Sequence, residues 1–183
     1  ETIQGGAGFI TPNPDFLKKI ATRCKQTNTL LILDEIQPGI GRTGKLFGFQ
    51  NYNVIPDIVV TGKGLGGGLP IGAFTASTAH MSLLQDNPKM GHITTFGGNP
   101  LIANAALATL NEITRLNLPA KVKNKEELFR TELKHPLIAE IRGKGLMLAL
   151  IMQNSSVANN LVIKAKEQKL ILFWLLFEKR AVR

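Results

Sequence analysis

The chain has 183 residues, of which 44% are hydrophobic and 19% are charged, which is typical of a globular protein with a buried core. Its formal net charge of +9 suggests a nucleic-acid partner. However, the basic residues are scattered along predicted helices without interleaved aromatic side chains. Solvated helix surface is the favoured interpretation, attraction of anionic substrates is the second, and no nucleic-acid partner is expected.

Membrane and export signals are not expected either. The longest apolar run, residues 170–177, is too short to cross a bilayer. No charged leader with an apolar core opens the chain, and the single cysteine, Cys24, excludes an internal disulfide. We therefore expect a cytoplasmic protein. Both ends are abrupt, so we also expect a fragment of a longer chain.

The first predicted element is a helix with Asn13 as its N-cap and Pro14 at its first helical position. Its predicted apolar stripe consists of Phe16, Leu17, Ile20 and Cys24. A continuous apolar run at residues 30–33 predicts a strand of a parallel sheet covered on both faces. Further strands are predicted at residues 58–61 and 71–76.

The second half of the chain has a different character. Asn99-Pro100 repeats the helix-start pattern before an alanine-rich helix at residues 101–116, which we expect to be buried, and a polar helix is predicted at 119–135. Two strands around a glycine turn within residues 138–150, a helix at 156–168 and a strand at 170–176 follow. We place a domain boundary near residue 120, between domains of residues 1–119 and 120–183.

Two glycine-rich segments imitate nucleotide-binding loops. Residues 39–45 fit GxxxxGK, but Leu46 stands where Ser or Thr should hold magnesium. Residues 62–67 fit GxGxxG, but they lead into a predicted strand and not into the helix of a dinucleotide fold. We therefore reject both segments as nucleotide-binding loops. A glycine-rich dinucleotide-binding module is still kept as the alternative function of the chain.

Asp34 and Lys63 each follow a predicted buried strand, which would deliver both side chains to one edge of a sheet. Asp34 either caps the amides of a neighbouring loop or pairs with the protonated ring nitrogen of pyridoxal phosphate. Lys63, between glycines, is either a surface lysine or a partly desolvated amine that forms a Schiff base. Spacing alone does not decide between the two interpretations of either residue.

Several long segments, in the same order, resemble the class III aminotransferases, a group that includes the ornithine, acetylornithine and 4-aminobutyrate enzymes. These segments are LDEIQPGIGRTG at 33–44, PDIV at 56–59, KGLGGGLPIGA at 63–73 and TTFGGNPL at 94–101. The resemblance implies an α/β fold of the pyridoxal-phosphate-dependent fold type I, with a mixed, mostly parallel sheet. Residues 1–119 would be the C-terminal part of the large cofactor-binding domain. Residues 120–183 would begin a small α+β C-terminal domain.

The resemblance also implies roles for individual residues. Lys63 would be the catalytic Schiff-base lysine, Asp34 the partner of the pyridine nitrogen of pyridoxal 5'-phosphate, and Gln37 a neighbour of the cofactor's phenolic oxygen. Thr95 would donate to the cofactor phosphate of a neighbouring subunit, which implies a homodimer. Arg183 would bind the α-carboxylate of the substrate. The implied reaction moves an amino group from an ω-amino acid or amine to 2-oxoglutarate or a similar oxo acid.

Departures from the family pattern leave the amino donor open. Gly6 stands where ornithine- and 4-aminobutyrate-type enzymes usually have a glutamate that pairs with the carboxylate-binding arginine. The family's first half, which holds the cofactor phosphate, and its C-terminal end are missing from the sequence. We therefore expect this piece alone to be inactive. The histidines lie in unrelated segments without metal-ligand spacing, so no metal site is predicted.

Overall fold

Two separate three-stranded sheets organise the chain in a computed structural model that describes residues 1–183. The first sheet contains β1 (Ile32–Asp34), β2 (Ile58–Gly62) and β3 (Gly72–Ala76). In this sheet β1 pairs parallel with β2, and β2 pairs antiparallel with β3. The second sheet is antiparallel throughout and contains β4 (Ile138–Lys144), β5 (Met147–Met152) and β6 (Ala181–Val182).

Five α-helices accompany these sheets, and three short 3-10 turns connect them. The helices are α1 (Phe16–Gln26), α2 (Thr78–Asp86), α3 (Pro100–Arg115), α4 (Val122–Glu132) and α5 (Ser155–Glu167). The 3-10 turns are Gly48–Tyr52, Lys63–Gly66 and Leu118–Lys121. None of the helices combines the length and the apolar character that a membrane crossing would require.

Helix starts follow the predicted caps in one case and differ in another. The Asn99 side chain accepts hydrogen bonds from the amides of Leu101 (3.0 Å) and Ile102 (3.2 Å), so α3 begins at Pro100 as predicted. The predicted start of α1 at Pro14 is wrong. Asn13 instead accepts from the amide of Asp15 (3.1 Å), which forms a turn before the helix begins at Phe16.

Three predictions of burial are wrong. Phe16 is 50% exposed because the core-facing side of α1 carries Leu17, with Ile20 and Cys24 behind it. Helix α3 has no buried residue, and its Leu101 is 69% exposed. The run at residues 30–33 alternates between buried and exposed positions, because only one face of β1 is covered by this chain.

Three apolar clusters form the core. The first joins α1 to the first sheet and contains Leu17, Leu31, Leu33, Phe49, Tyr52 and Val54. The second covers one face of β5 and contains Ile3, Phe9, Met147, Ala149, Ile151, Leu175 and Ala181. The third joins α5 to the other face and contains Met152, Ala158, Val162 and Val182. Since Ile3 and Phe9 belong to the second cluster, the N-terminal segment packs on the second sheet.

The predicted strand at residues 170–176 is not present as a regular strand. Trp174 makes a single bridge to Val182, and the strand that pairs with β5 is Ala181–Val182. The predicted strands around a glycine turn are confirmed as β4 and β5, and the predicted helix at 156–168 is confirmed as α5.

Candidate active site

The parallel pairing of β1 and β2 brings Asp34 and Lys63 to the same edge of the first sheet. Asp34 is the last residue of β1 and lies opposite Val60 of β2. The next amide, that of Glu35, donates to the carbonyl of Val60 (2.8 Å). Lys63 follows directly after Gly62, the last residue of β2. The prediction that a carboxylate and an amine share one sheet edge is therefore confirmed.

Lys63 has an unusual backbone conformation. Its φ of 42° lies in the left-handed region, which costs free energy for a residue with a side chain, and its side chain is exposed. Gly62 before it approaches the neighbouring strand so closely that a Cβ would lie 3.0 Å from the carbonyl oxygen of Ile71. Strained backbone of this kind is concentrated at functional sites, where the fold holds one side chain in a required place.

A cleft of about 330 Å³ lies beside Lys63, between the first sheet and the β4–β5 turn. This volume is within the range of small-molecule sites. The polar side chains that line the cleft are Gln37, Arg42, Lys63 and Arg183. Its apolar side chains are Phe9, Ile36, Ile40, Leu146, Met147, Leu148 and Phe173. The structure thus brings together Lys63, Gln37 and Arg183, which the sequence analysis singled out separately.

Arg183 is held in place by Phe173. The backbone amide and carbonyl of Arg183 both bond to the backbone of Phe173, each at 2.9 Å. The guanidinium carbon lies 5.9 Å from the centre of the Phe173 ring, a cation–π geometry. None of the ion pairs in the chain includes Arg183. The backbone of Arg183 is therefore fixed beside the cleft, and its guanidinium has no acidic partner in the chain.

Asp34 is half-buried at the sheet edge but is not one of the residues that line the cleft. Its Oδ1 accepts a hydrogen bond from the amide of Ile36 (2.9 Å), so one carboxylate oxygen caps the following loop. The other oxygen, Oδ2, bonds to no protein group and is available to a ligand. The capping interpretation and the cofactor-partner interpretation are therefore compatible with each other.

Thr95 is exposed in the loop before α3 and does not line the cleft. Within one chain, the structure does not bring Thr95 to Lys63. Its predicted role toward the cofactor of a neighbouring subunit stays a prediction.

Glu35 is a fully buried carboxylate whose importance the sequence analysis missed. It accepts hydrogen bonds from the Thr2 hydroxyl (3.0 Å) and from the amides of Gly48 (2.6 Å) and Phe49 (3.0 Å). Burial raises the pKa of the Glu35 carboxyl, although the three hydrogen bonds act in the opposite direction. The nearby Tyr52 hydroxyl is buried without a partner. An ionisable residue directly after a buried strand is the signal that would have indicated this cluster.

The two nucleotide-loop motifs are not followed by the helices that such folds need. Residues 62–67 pass through the turn Lys63–Gly66 into β3, which is antiparallel to β2. Residues 39–45 lead to the turn Gly48–Tyr52. The structure gives no support to the dinucleotide-binding alternative.

Comparison with known proteins identifies the family. Residues 1–181 match the family model described as Aminotransferase class-III, and the chain therefore belongs to the class-III aminotransferases. Over 94% of its length, the chain is 42% identical to an acetylornithine aminotransferase from Caldanaerobacter subterraneus subsp. tengcongensis.

Solved structures agree with the family assignment and confirm the predicted α/β fold. The chain matches the acetylornithine aminotransferase of Elizabethkingia anophelis over its whole length, with 38% identity and a TM-score of 0.90. The ornithine aminotransferase of Toxoplasma gondii ME49 matches with 35% identity and a TM-score of 0.89. The chain covers 46% and 44% of these two structures and 44% of the Caldanaerobacter protein, so it spans about half the length of the relatives it matches.

Proposed function

We propose that the full-length protein is a pyridoxal-phosphate-dependent aminotransferase. It moves an amino group from an ω-amino acid or amine of the ornithine or acetylornithine type to 2-oxoglutarate or a similar oxo acid. The observation that carries this proposal is the cleft in which Lys63 lies with Gln37 and Arg183, at the sheet edge where Asp34 ends β1. The names of the similar proteins, acetylornithine and ornithine aminotransferase, support the same donors.

The residues at the sheet edge fit the proposed cofactor. Pyridoxal 5'-phosphate supplies an aldehyde that condenses with amines and a ring that withdraws electrons. Lys63 offers an exposed primary amine to hold the aldehyde carbon. Asp34 has a free carboxylate oxygen to accept a hydrogen bond from the ring nitrogen, and Gln37 has an amide in the cleft to contact the ring oxygen.

The side chains of the cleft have separate tasks in this proposal. The guanidinium of Arg183 binds the α-carboxylate of the substrate through two parallel hydrogen bonds. The Lys63 amine, once the substrate amine has taken its place, accepts a proton at Nζ from the substrate carbon and later returns it. The apolar lining, which includes Ile36 and Met147, provides surface for the uncharged parts of the substrate.

A homodimer in the cytoplasm is the remaining part of the proposal. Two features support an assembly: Thr95 lies outside the cleft of its own chain, and α3 exposes Leu101 and Leu107. The division into domains at residues 1–119 and 120–183 is retained. We expect the 183-residue piece alone to be inactive, since one face of β1 is uncovered and the segment of the family that holds the phosphate of the subunit's own cofactor is not part of the chain.

The experiment that tests this function uses the full-length protein. We expect one pyridoxal phosphate per subunit, detected by its visible absorption band, and transamination of ornithine or acetylornithine with 2-oxoglutarate. A full-length protein that binds no pyridoxal phosphate would contradict the proposal. Specific binding of a nicotinamide cofactor in its place would favour a dinucleotide-binding protein.

A further inference from the structure

We infer that Gly5 is a positioning residue of the site. Because it has no side chain, it allows the side-chain amide of Gln37 to lie in the cleft beside Lys63. The inference rests on the proposed function, in which Gln37 contacts the ring oxygen of the cofactor. Gly5 belongs to the N-terminal segment and does not line the cleft, whereas Gln37 lies in the loop after β1 and does.

The first observation is how closely the two residues approach each other. A Cβ added to Gly5 would overlap the side-chain oxygen of Gln37, and it would lie 2.9 Å from Cδ and 3.3 Å from Nε2 of the same side chain. The three atoms nearest to this Cβ therefore all belong to one side-chain amide. Any side chain at position 5 would push that amide out of its place.

The second observation is that the backbone of Gly5 is held on both sides. The amide of Gln4 before it donates to the carbonyl of Ile10 (3.0 Å). The carbonyl of Gly6 after it accepts from the amide of Phe177 (3.2 Å). Gly5 itself is buried. The segment therefore forms a fixed wall, and the side chain that faces it is the part that yields.

The third observation is that Gln37 has no hydrogen bond to hold its side chain. The side chain is half-buried, and its amide has no hydrogen-bond partner within the chain, so packing against Gly5 restricts its orientation. A donor that is already oriented loses less conformational freedom when its ligand binds than a freely rotating one. Gly5 thus contributes to cofactor binding through Gln37.

A substitution at Gly5 can test this role without disrupting the backbone. Gly5 is not among the glycines with positive φ, so alanine fits its conformation. The overlap falls on the free end of a flexible side chain, which can rotate into another staggered conformation. Gly5→Ala should therefore fold and displace the Gln37 amide.

The test is a double-mutant cycle on the full-length protein. Cofactor-free protein is titrated with pyridoxal phosphate, and the visible absorption band reports binding. We expect Gly5→Ala and Gln37→Ala each to weaken binding by about tenfold, as for the loss of one good hydrogen bond. In the Gln37→Ala background, Gly5→Ala should change the affinity by less than about twofold, because no amide remains to be displaced. An equal loss in both backgrounds, or no loss in the wild-type background, would overturn the inference.

Gly6→Ala is the matched control, since it adds the same methyl group to the next residue of the segment. A Cβ there would lie 3.2 Å from the ring of Phe177, which is 81% exposed and can shift, and it does not approach Gln37. This variant should leave the affinity for pyridoxal phosphate unchanged. If Gly6→Ala weakens binding as much as Gly5→Ala does, the effect belongs to the segment as a whole and the inference is wrong.

Crystal structures of the cofactor-free variants give a measurement that does not depend on the cofactor. The side chain of Gln37 should change its rotamer in Gly5→Ala and keep it in Gly6→Ala. An unchanged rotamer in Gly5→Ala would contradict the inference. If Gly5→Ala alone does not fold, recovery of folding by Gln37→Ala identifies the amide as the group that the methyl group meets, and failure to recover rules the inference out.

These outcomes distinguish the inference from the proposed function. A wild-type protein that binds no pyridoxal phosphate contradicts the proposed function, while the rotamer of Gln37 in the cofactor-free structures still decides whether Gly5 positions it. A Gly5→Ala variant that binds pyridoxal phosphate as tightly as the wild type supports the proposed function and contradicts the inference.

Discussion

Two charged sites lie on either side of the end of β1. In one, the charged group is hydrogen-bonded within the chain, and in the other the charged groups are not. On one side, the carboxylate of Glu35 is fully buried and accepts hydrogen bonds from Thr2, Gly48 and Phe49. On the other side, Arg42, Lys63 and Arg183 line an open cleft and have no anionic partner. The carboxylate of Glu35 therefore has its hydrogen-bond partners within the fold. The three cationic side chains of the cleft are available to an anionic ligand.

The difference follows from the geometry of a strand end. Successive side chains of a strand alternate between its faces, so Asp34 and Glu35 leave β1 in different directions. Glu35 enters the space closed by the turn Gly48–Tyr52, where an unpaired carboxylate would be costly. The functional side of this sheet is therefore indicated by charged side chains that make no hydrogen bond within the chain, and not by the presence of charge alone.

The largest effect is expected at Lys63. Because the proposed reaction needs its amine both to hold the cofactor and to move a proton, Lys63→Ala should lower turnover of the full-length protein by about 10⁴-fold or more. The exposed side chain makes no hydrogen bond, so the melting temperature without cofactor should change little. Lys45→Ala, measured alongside in a transamination assay, should keep full activity. Retained activity in Lys63→Ala would remove Lys63 from the catalytic group.

A substitution at Asp34 distinguishes its role as a cap of the following loop from the effect of its negative charge. Asp34→Asn keeps an oxygen that can accept from the Ile36 amide, but it removes the negative charge. We expect turnover to fall by about 10²- to 10³-fold, as for the loss of other preorganised electrostatic groups, while thermal stability is preserved. If steady-state kinetics of the Asn variant match the wild type, Asp34 serves only as a cap.

Glu35 should affect stability and not chemistry. In Glu35→Gln the new NH₂ group faces one of three donors, so the variant should lose about 1–3 kcal/mol of folding free energy. Its KM and kcat at moderate temperature should stay close to the wild-type values. Glu132→Gln, at an exposed position, is the control, and chemical denaturation with enzyme kinetics measures both effects.

The pH dependence of stability gives a second measurement on Glu35. Its carboxyl pKa is raised in the folded state above the ordinary value of 4.5, so the folded state binds more protons between these two pKa values. The Glu35 contribution is therefore greatest below pH 4.5 and decreases as the pH rises through the raised pKa. Glu35→Gln should lack this decrease. An identical pH profile for variant and wild type would contradict the shift.

The smallest effect is expected at Phe173, whose ring lies beside the Arg183 guanidinium. Phe173→Leu keeps the backbone hydrogen bonds but removes the aromatic face, which is worth about 0.5–1 kcal/mol. We expect the KM of carboxylate substrates to rise about two- to fivefold at constant kcat. Phe129→Leu, on the exposed face of α4, should leave the KM unchanged.

Local signals predicted the elements that depend on local chemistry. The Asn99 cap, the β4–β5 hairpin and the placement of Asp34 and Lys63 each follow from a few neighbouring residues. The prediction of a strand at residues 170–176 was wrong because strand pairing depends on residues far apart in the sequence. The apolar run at residues 170–176 has the composition of a strand, but the two residues Ala181 and Val182 take the place beside β5.

The polar residues of the site divide in the same way. Lys63, Gln37 and Arg183 lie in segments that resemble a family, so they could be selected from the sequence. Arg42 lies in one of those segments too, but no local pattern distinguishes it from a surface arginine. Only the fold shows that the β4–β5 turn fixes its backbone at the wall of the cleft.

The hydrogen bond from Leu146 to the carbonyl of Arg42 joins the hairpin of the second sheet to the loop of the first. Hydrogen exchange at the amide of Leu146 therefore reports on the contact between the two parts of the molecule. Its exchange with deuterium has to wait for the hairpin to separate from the loop, so its lifetime measures how often the cleft wall opens. A carboxylate bound in the cleft beside Lys63 should slow this exchange, whereas amides within β5 should keep their rates.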